Sequence, residues 1–154
     1  MKYVLSLKEE DSAKLVMVFQ EGQTRVYENK DVFPRAFMVY DYQVVRDKQE
    51  AINLLMSEKT DLAKVAILEE LPTTRSDLVE GKNEIKIEDY RENRVIIDVK
   101  TDEAGILILT DSYYPGWKAK VDGEGAKIYR ADYNFRAIMV SEGIHKVIFE
   151  YDWY

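Results

Sequence analysis

The second half of the chain alternates apolar and polar residues with a period of two. Turn residues break that rhythm every 8–12 residues or so, the spacing of a packed antiparallel fold. Such alternation sends successive side chains to opposite faces of a strand, and a helix cannot use it. Residues 84–90 place Ile85 and Ile87 on one face, and Arg91-Glu92-Asn93 forms a turn before the strand at 94–100. Asp102-Glu103 turns the chain again into the apolar run Ala104 to Thr110, which reads as a central strand covered on both faces. Residues 117–121 alternate, Asp122-Gly123-Glu124-Gly125 is a tight hairpin signal, and strands at 126–131, 135–140 and 144–151 follow, with Glu142-Gly143 as the last turn.

The first half adds β-branched and aromatic strands at 2–7, 14–20, 24–28, 36–42 and 64–70. One segment departs from the pattern. Residues 47–57 carry Ala51, Ile52, Leu54, Leu55 and Met56 on a helical stripe, with Asp47 as N-cap and Glu50 as its capping-box partner. The expected fold is mainly β, an antiparallel β-sandwich with one α-helix near 47–57, in a single domain over residues 1–154. Leu71 to Gly81 is the longest loop, so a mobile loop or an internal boundary is expected at 71–83.

Composition narrows the chemistry. The net charge of −7 is spread evenly along the chain with no basic stripe, which argues against nucleic acid. With no cysteine and a single histidine, His145, disulfides, thiolate or His-based metal sites and cysteine nucleophiles are excluded, and no metal or cofactor is expected. No apolar run has the length of a membrane span.

The densest unusual segment is Asp111-Ser112-Tyr113-Tyr114-Pro115-Gly116-Trp117-Lys118-Ala119. Pro115-Gly116 suits the centre of a type II turn, and three aromatics crowd it. They can form a platform for a sugar or peptide, since flat rings stack while hydroxyls hydrogen-bond. Alternatively, Trp117 plugs the sandwich and the tyrosines pack across the turn. Arg130, Asp132, Tyr133, Asn134 and Arg136 gather near another turn. They can bind a carboxylate or sugar, or simply form a solvent-exposed strand pair with a charged crossing. The candidate ligand-binding set is therefore Tyr113, Tyr114, Trp117, Arg130, Tyr133 and Arg136. His145 could act as a general base, but no orienting group is visible near it in sequence. The 29 acidic residues make chance pairs of carboxylates common, so no catalytic residue is assigned.

These motifs in this order, continuing through Val121-Asp122-Gly123, Tyr129 to Ala137, Gly143-Ile144-His145-Lys146-Val147 and Phe149-Glu150-Tyr151, resemble the C-terminal region of the bacterial YfhO-type membrane proteins. Upstream, Val26-Tyr27-Glu28-Asn29, Phe33-Pro34-Arg35-Ala36-Phe37 and Ala66-Ile67-Leu68-Glu69 are similar too. The resemblance runs from about residue 24 to residue 151, with a poor stretch around 72–92. It implies a parent with many membrane helices, similar to lipid-linked-sugar glycosyltransferases. The parent's catalytic carboxylates would lie in the N-terminal helical part, so none is carried over here.

The matched region would be an external β-sandwich of carbohydrate-binding type. The expectation is thus a non-catalytic extracytoplasmic module on the cell membrane, binding or positioning a glycan or cell-envelope polymer. The terminal Tyr151-Asp152-Trp153-Tyr154 has the aromatics of a membrane interface, and the chain reads as a piece of a larger membrane protein reached through helices outside it. The alternatives are a free-standing carbohydrate-active hydrolase using paired carboxylates, and a protein-interaction module with an exposed apolar patch above about 400 Å².

Overall fold

Hairpins dominate the computed structural model, which describes residues 2–57, 60–72 and 79–152. Its packing divides into two compact units, Met1–Pro34 and Arg35–Tyr154. Trp153, Tyr154 and residues 73–78 of the long loop lie outside the described residues.

The first unit is a three-stranded antiparallel sheet of β1 (Tyr3–Ser6), β2 (Leu15–Glu21) and β3 (Thr24–Asn29), ordered β1-β3-β2. The register of β2 slips between Met17 and Phe19, a bulge that accommodates Val18. No residue of β2 is buried, and Val16, Met17, Val18 and Phe19 are each about half exposed.

The second unit contains β4 (Ala36–Val39), β5 (Asp41–Val44), α1 (Lys48–Leu55), β6 (Val65–Leu68), β7 (Asn83–Arg91), β8 (Arg94–Thr101) and β9 (Gly105–Ser112). It continues through β10 (Trp117–Val121), β11 (Glu124–Ala126), β12 (Tyr129–Ala131), β13 (Phe135–Val140) and β14 (Gly143–Tyr151). A five-stranded sheet, β11-β10-β14-β8-β7, accompanies a six-stranded one, β4-β9-β13-β12-β6-β5. The alternation explains the packing. Val95, Ile97, Val99, Val147 and Phe149 point inward from the first sheet and meet Met38, Leu107, Leu109, Ile138 and Val140 from the second. The fold is thus the expected β-sandwich. As anticipated, β9 is a central strand, between β4 and β13 and buried from Gly105 to Leu109.

Three details differ from the sequence reading. The segment 36–42 is two strands, β4 and β5, and 126–131 is also two, β11 and β12, which belong to different sheets. The pair β5/β6 is parallel, because α1 lies between them and returns the chain in the same direction. Helix α1 is shorter than expected. Asp47 does cap it, accepting from the Glu50 N–H at 2.9 Å, while the Glu50 carboxylate reaches the Arg46 N–H, one residue before the cap. At the far end of the long loop, the Lys82 N–H donates to Asp102 Oδ1 at 2.5 Å and the Asp102 N–H returns to the Lys82 carbonyl, tying that end to the β8–β9 turn.

On the outer face of the five-stranded sheet, Lys146 bridges Asp98 and Glu88, Lys100 meets Glu84, and both Lys120 and Arg94 reach Glu150. These pairs are largely exposed and screened by water, so each contributes little to stability. They account for many of the abundant carboxylates as solvated sheet-face charges.

Candidate functional site

Alternation carries Leu107, Leu109 and then Asp111 along the inward face of β9, and Val140, Ile138 and then Arg136 along that of β13. The apolar core therefore ends at one edge of the sandwich in an acid and a base. Asp111 is the hub. Its Oδ2 accepts from Arg136 Nη2 at 3.0 Å, and its Oδ1 accepts from Arg35 Nη1 at 2.8 Å and from the Tyr90 hydroxyl at 2.9 Å. Arg35 also donates to the Tyr90 oxygen at 3.0 Å and lies over its ring.

The Arg136 side chain is only 3% exposed. Its guanidinium carbon sits 3.7 Å from the Trp117 ring centroid and 5.6 Å from that of Phe149. Its Nε and Nη1 are buried without a hydrogen-bond partner. Burial pulls the Arg136 guanidinium below its ordinary pKa, with Asp111 and Tyr90 opposing that shift. Burial, then the hydrogen bond to Asp111, raises the Tyr90 phenol.

The turn before β10 completes the site. Gly116 takes φ 103° and the Trp117 N–H points back to the Tyr114 carbonyl at 3.5 Å, as a type II turn centred on Pro115-Gly116 requires. A side chain at Gly116 would meet the Tyr151 ring at 3.0 Å, so glycine lets that ring close against the turn. Tyr151 packs edge-on to Trp117 at 5.5 Å and tilted to Tyr114 at 6.2 Å. A cleft of about 650 Å³ results, walled by the aromatic rings of Tyr90, Tyr114, Trp117 and Tyr151, with Ser112, Asp111 and Arg136 among its polar lining. Both oxygens of Asp111 are held by donors, which leaves this carboxylate poorly placed as nucleophile or proton donor.

Of the six candidates, three meet here: Tyr114, Trp117 and Arg136. Tyr114 is 61% exposed, while Trp117 is half-buried with one ring face under Arg136. Trp117 is thus both core edge and cleft wall. Tyr113 and Arg130 pair with each other instead, the guanidinium 4.7 Å from the ring, and Arg130 approaches Glu69. Tyr133 stands on the β12–β13 turn at φ 73°. The second cluster is not a solvent-exposed crossing, because Arg136 and Asp132 are buried. Sequence reasoning missed Tyr90, Tyr151, Arg35 and the hub role of Asp111. The only signal was the inward parity of Asp111 and Arg136 on their strands.

His145 does have an orienting group. Its Nδ1 lies 2.6 Å from Asp122 Oδ2, and its Nε2 lies 3.2 Å from both Ser141 Oγ and the Glu142 carbonyl. The residue types are those of a serine nucleophile, its base and an orienting acid, but Nε2 faces the Glu142 carbonyl as well as the serine. A base must offer Nε2 a lone pair facing the serine. Here a carbonyl oxygen and a carboxylate face the two nitrogens, and both are satisfied by N–H. Burial alone would lower the His145 pKa, yet the hydrogen bonds to Asp122 and Glu142 outweigh it and the net shift is upward. Through these contacts His145 clamps the β13–β14 turn to the β10–β11 turn.

A group with a raised pKa stabilises the fold below its unfolded value of 6.5 and loses that contribution as pH rises through the folded value. We expect His145→Gln to cost more stability at pH 6 than at pH 9 in urea titrations. The lone histidine resonance should titrate above 6.5 by NMR. A midpoint at or below 6.5 would remove the clamp.

Among the described residues no three of His, Asp and Glu gather where they could hold a metal ion, and no helix is long and apolar enough to cross a membrane. The architecture is thus a β-sandwich with an aromatic, charge-floored cleft at one end. A family model described as bacterial membrane protein YfhO matches residues 42–152, and the chain belongs to that family. The match begins at 42 rather than near 24, and it runs through the stretch around 72–92. No curated protein and no solved structure matches.

Proposed function

We propose that this chain is the C-terminal, extracytoplasmic domain of a glycosyltransferase-like membrane protein, and that it binds or positions a glycan or cell-envelope polymer without catalysing the transfer itself. The observation carrying this reading is the cleft of Tyr90, Tyr114, Trp117 and Tyr151 around the Asp111–Arg136 pair. Ring faces suit the apolar faces of pyranoses, and the serine, tyrosine and arginine groups suit their hydroxyls. Membership of a membrane-protein family supplies the cell-envelope context.

The test is binding of the 154-residue chain to a glycan panel, followed by calorimetry on the best ligand. Tyr114→Ala removes an exposed ring and should leave the fold intact. It should weaken binding roughly 3- to 10-fold, the value of one aromatic contact. A panel on which nothing binds sinks the reading and leaves the domain a structural role.

A further inference from the structure

The aromatic turn borders a second hollow. A separate cleft of about 390 Å³ is lined by Tyr113, Lys118, Lys120, Gly125 and Ile128, and it shares Tyr114 and Trp117 with the first. The two hollows therefore adjoin along Tyr114 and Trp117, the residues that flank the type II turn at Pro115-Gly116. Both fall within the roughly 300–1,000 Å³ of small-ligand sites. The turn is stiff, since Pro115 fixes one torsion and Tyr151 packs against Gly116. Its exposed ring, Tyr114, is placed to touch a ligand on the way from one hollow to the other.

Resting on the glycan reading above, we infer that the two clefts are consecutive subsites for one linear oligosaccharide that runs past Tyr114 and Trp117. The preferred ligand is an internal stretch of polymer rather than a single or terminal sugar. The second cleft supplies small residues, Gly125 and Ala126, for close approach, with the stems of Lys118 and Lys120 in its lining. Their amines turn to Asp152 at 2.7 Å and Glu150 at 3.3 Å, outside this cleft.

Chain length tests this. Calorimetry would titrate the chain with a series of one to six units built from whichever repeat binds best on the glycan panel. Affinity should rise roughly tenfold or more between the shortest ligands that fill one cleft and those that reach both, and then level off. Gly125→Trp should abolish that rise while leaving mono- and disaccharide affinity unchanged. A Cβ at Gly125 meets nothing within 4 Å, so the new ring enters open space. Lys120→Ala, a milder trim of the same cleft, should lower only the long-chain affinity and serves if the tryptophan variant misfolds. Short sugars binding as tightly as long ones would overturn the two-subsite inference and spare the glycan reading. So would long-chain affinity indifferent to both variants. No binding at any length would overturn both.

Discussion

Asp111→Ala is expected to cost about 3–5 kcal/mol of folding stability, because it strands a buried cation. Arg35→Ala, which removes another partner of the same carboxylate, should cost at most about 1 kcal/mol. The contrast follows from exposure. The Arg35 side chain is 53% exposed and recovers water when its partner is lost, whereas the Arg136 side chain is 3% exposed. Arg136 already has two nitrogens with no hydrogen-bond partner, and Asp111 supplies the only full negative charge that pairs with it among the described residues. The Trp117 and Phe149 rings offer only quadrupole attraction, worth about 2 kcal/mol when desolvated. Asp111→Asn keeps an acceptor but not the charge and should fall between the two. Guanidinium titrations of the three variants read these costs directly. If Asp111→Ala were as mild as Arg35→Ala, the rings alone would be stabilising Arg136, and the ion pair would not be holding the cleft floor.

The strands were legible because each carries its own evidence. Ile85 and Ile87, or Val95, Ile97 and Val99, declare a buried face without reference to any other strand. Asp122-Gly123 declares its hairpin in the same local way, with φ of 53° and 90°. The site was legible only in part, because it is assembled across sheets. Trp117, Tyr114 and Arg136 stood out by residue type. Tyr90 comes from β7 and Tyr151 from the end of β14, and nothing within either strand announces that they face Asp111 or Trp117. Likewise Asp122 and His145 meet only because Val121 pairs with Val147 across β10 and β14. Splitting 126–131 between two sheets has the same origin. Lys127 and Ile128 interrupt the strand without a turn residue to mark the crossing. Pairing partners are non-local, and a single sequence records each side chain but not its neighbour.

Asp132→Asn should make the protein more stable at neutral pH, the reverse of most substitutions at a buried position. Asp132 is 8% exposed at the start of the β12–β13 turn. Its Oδ1 accepts the Ile67 N–H at 2.9 Å, and its own N–H donates to the Ile67 carbonyl, so it closes the end of the β12–β6 pairing. Burial pushes its carboxyl from 3.8 up to about 6, and the bond from Ile67 offsets only part of that. The native state therefore holds this proton more tightly than the unfolded chain does. Stability contributed by the site falls as pH climbs from 3.8 to about 6, and above that the full cost of an ionised buried carboxylate is present. A rise of that size is worth about 3 kcal/mol. Asparagine carries no charge, keeps the oxygen that accepts from Ile67, and tolerates the φ of 48° found here. Urea titrations should show the variant ahead by up to about 3 kcal/mol at pH 8 and level with the parent near pH 3.5. A variant less stable than the parent at pH 8 would mean that the ionised oxygen's stronger bond to the Ile67 N–H outweighs its desolvation. In that case Asp132 would be held as the anion, and the β12–β13 turn would be fastened by charge rather than strained by it.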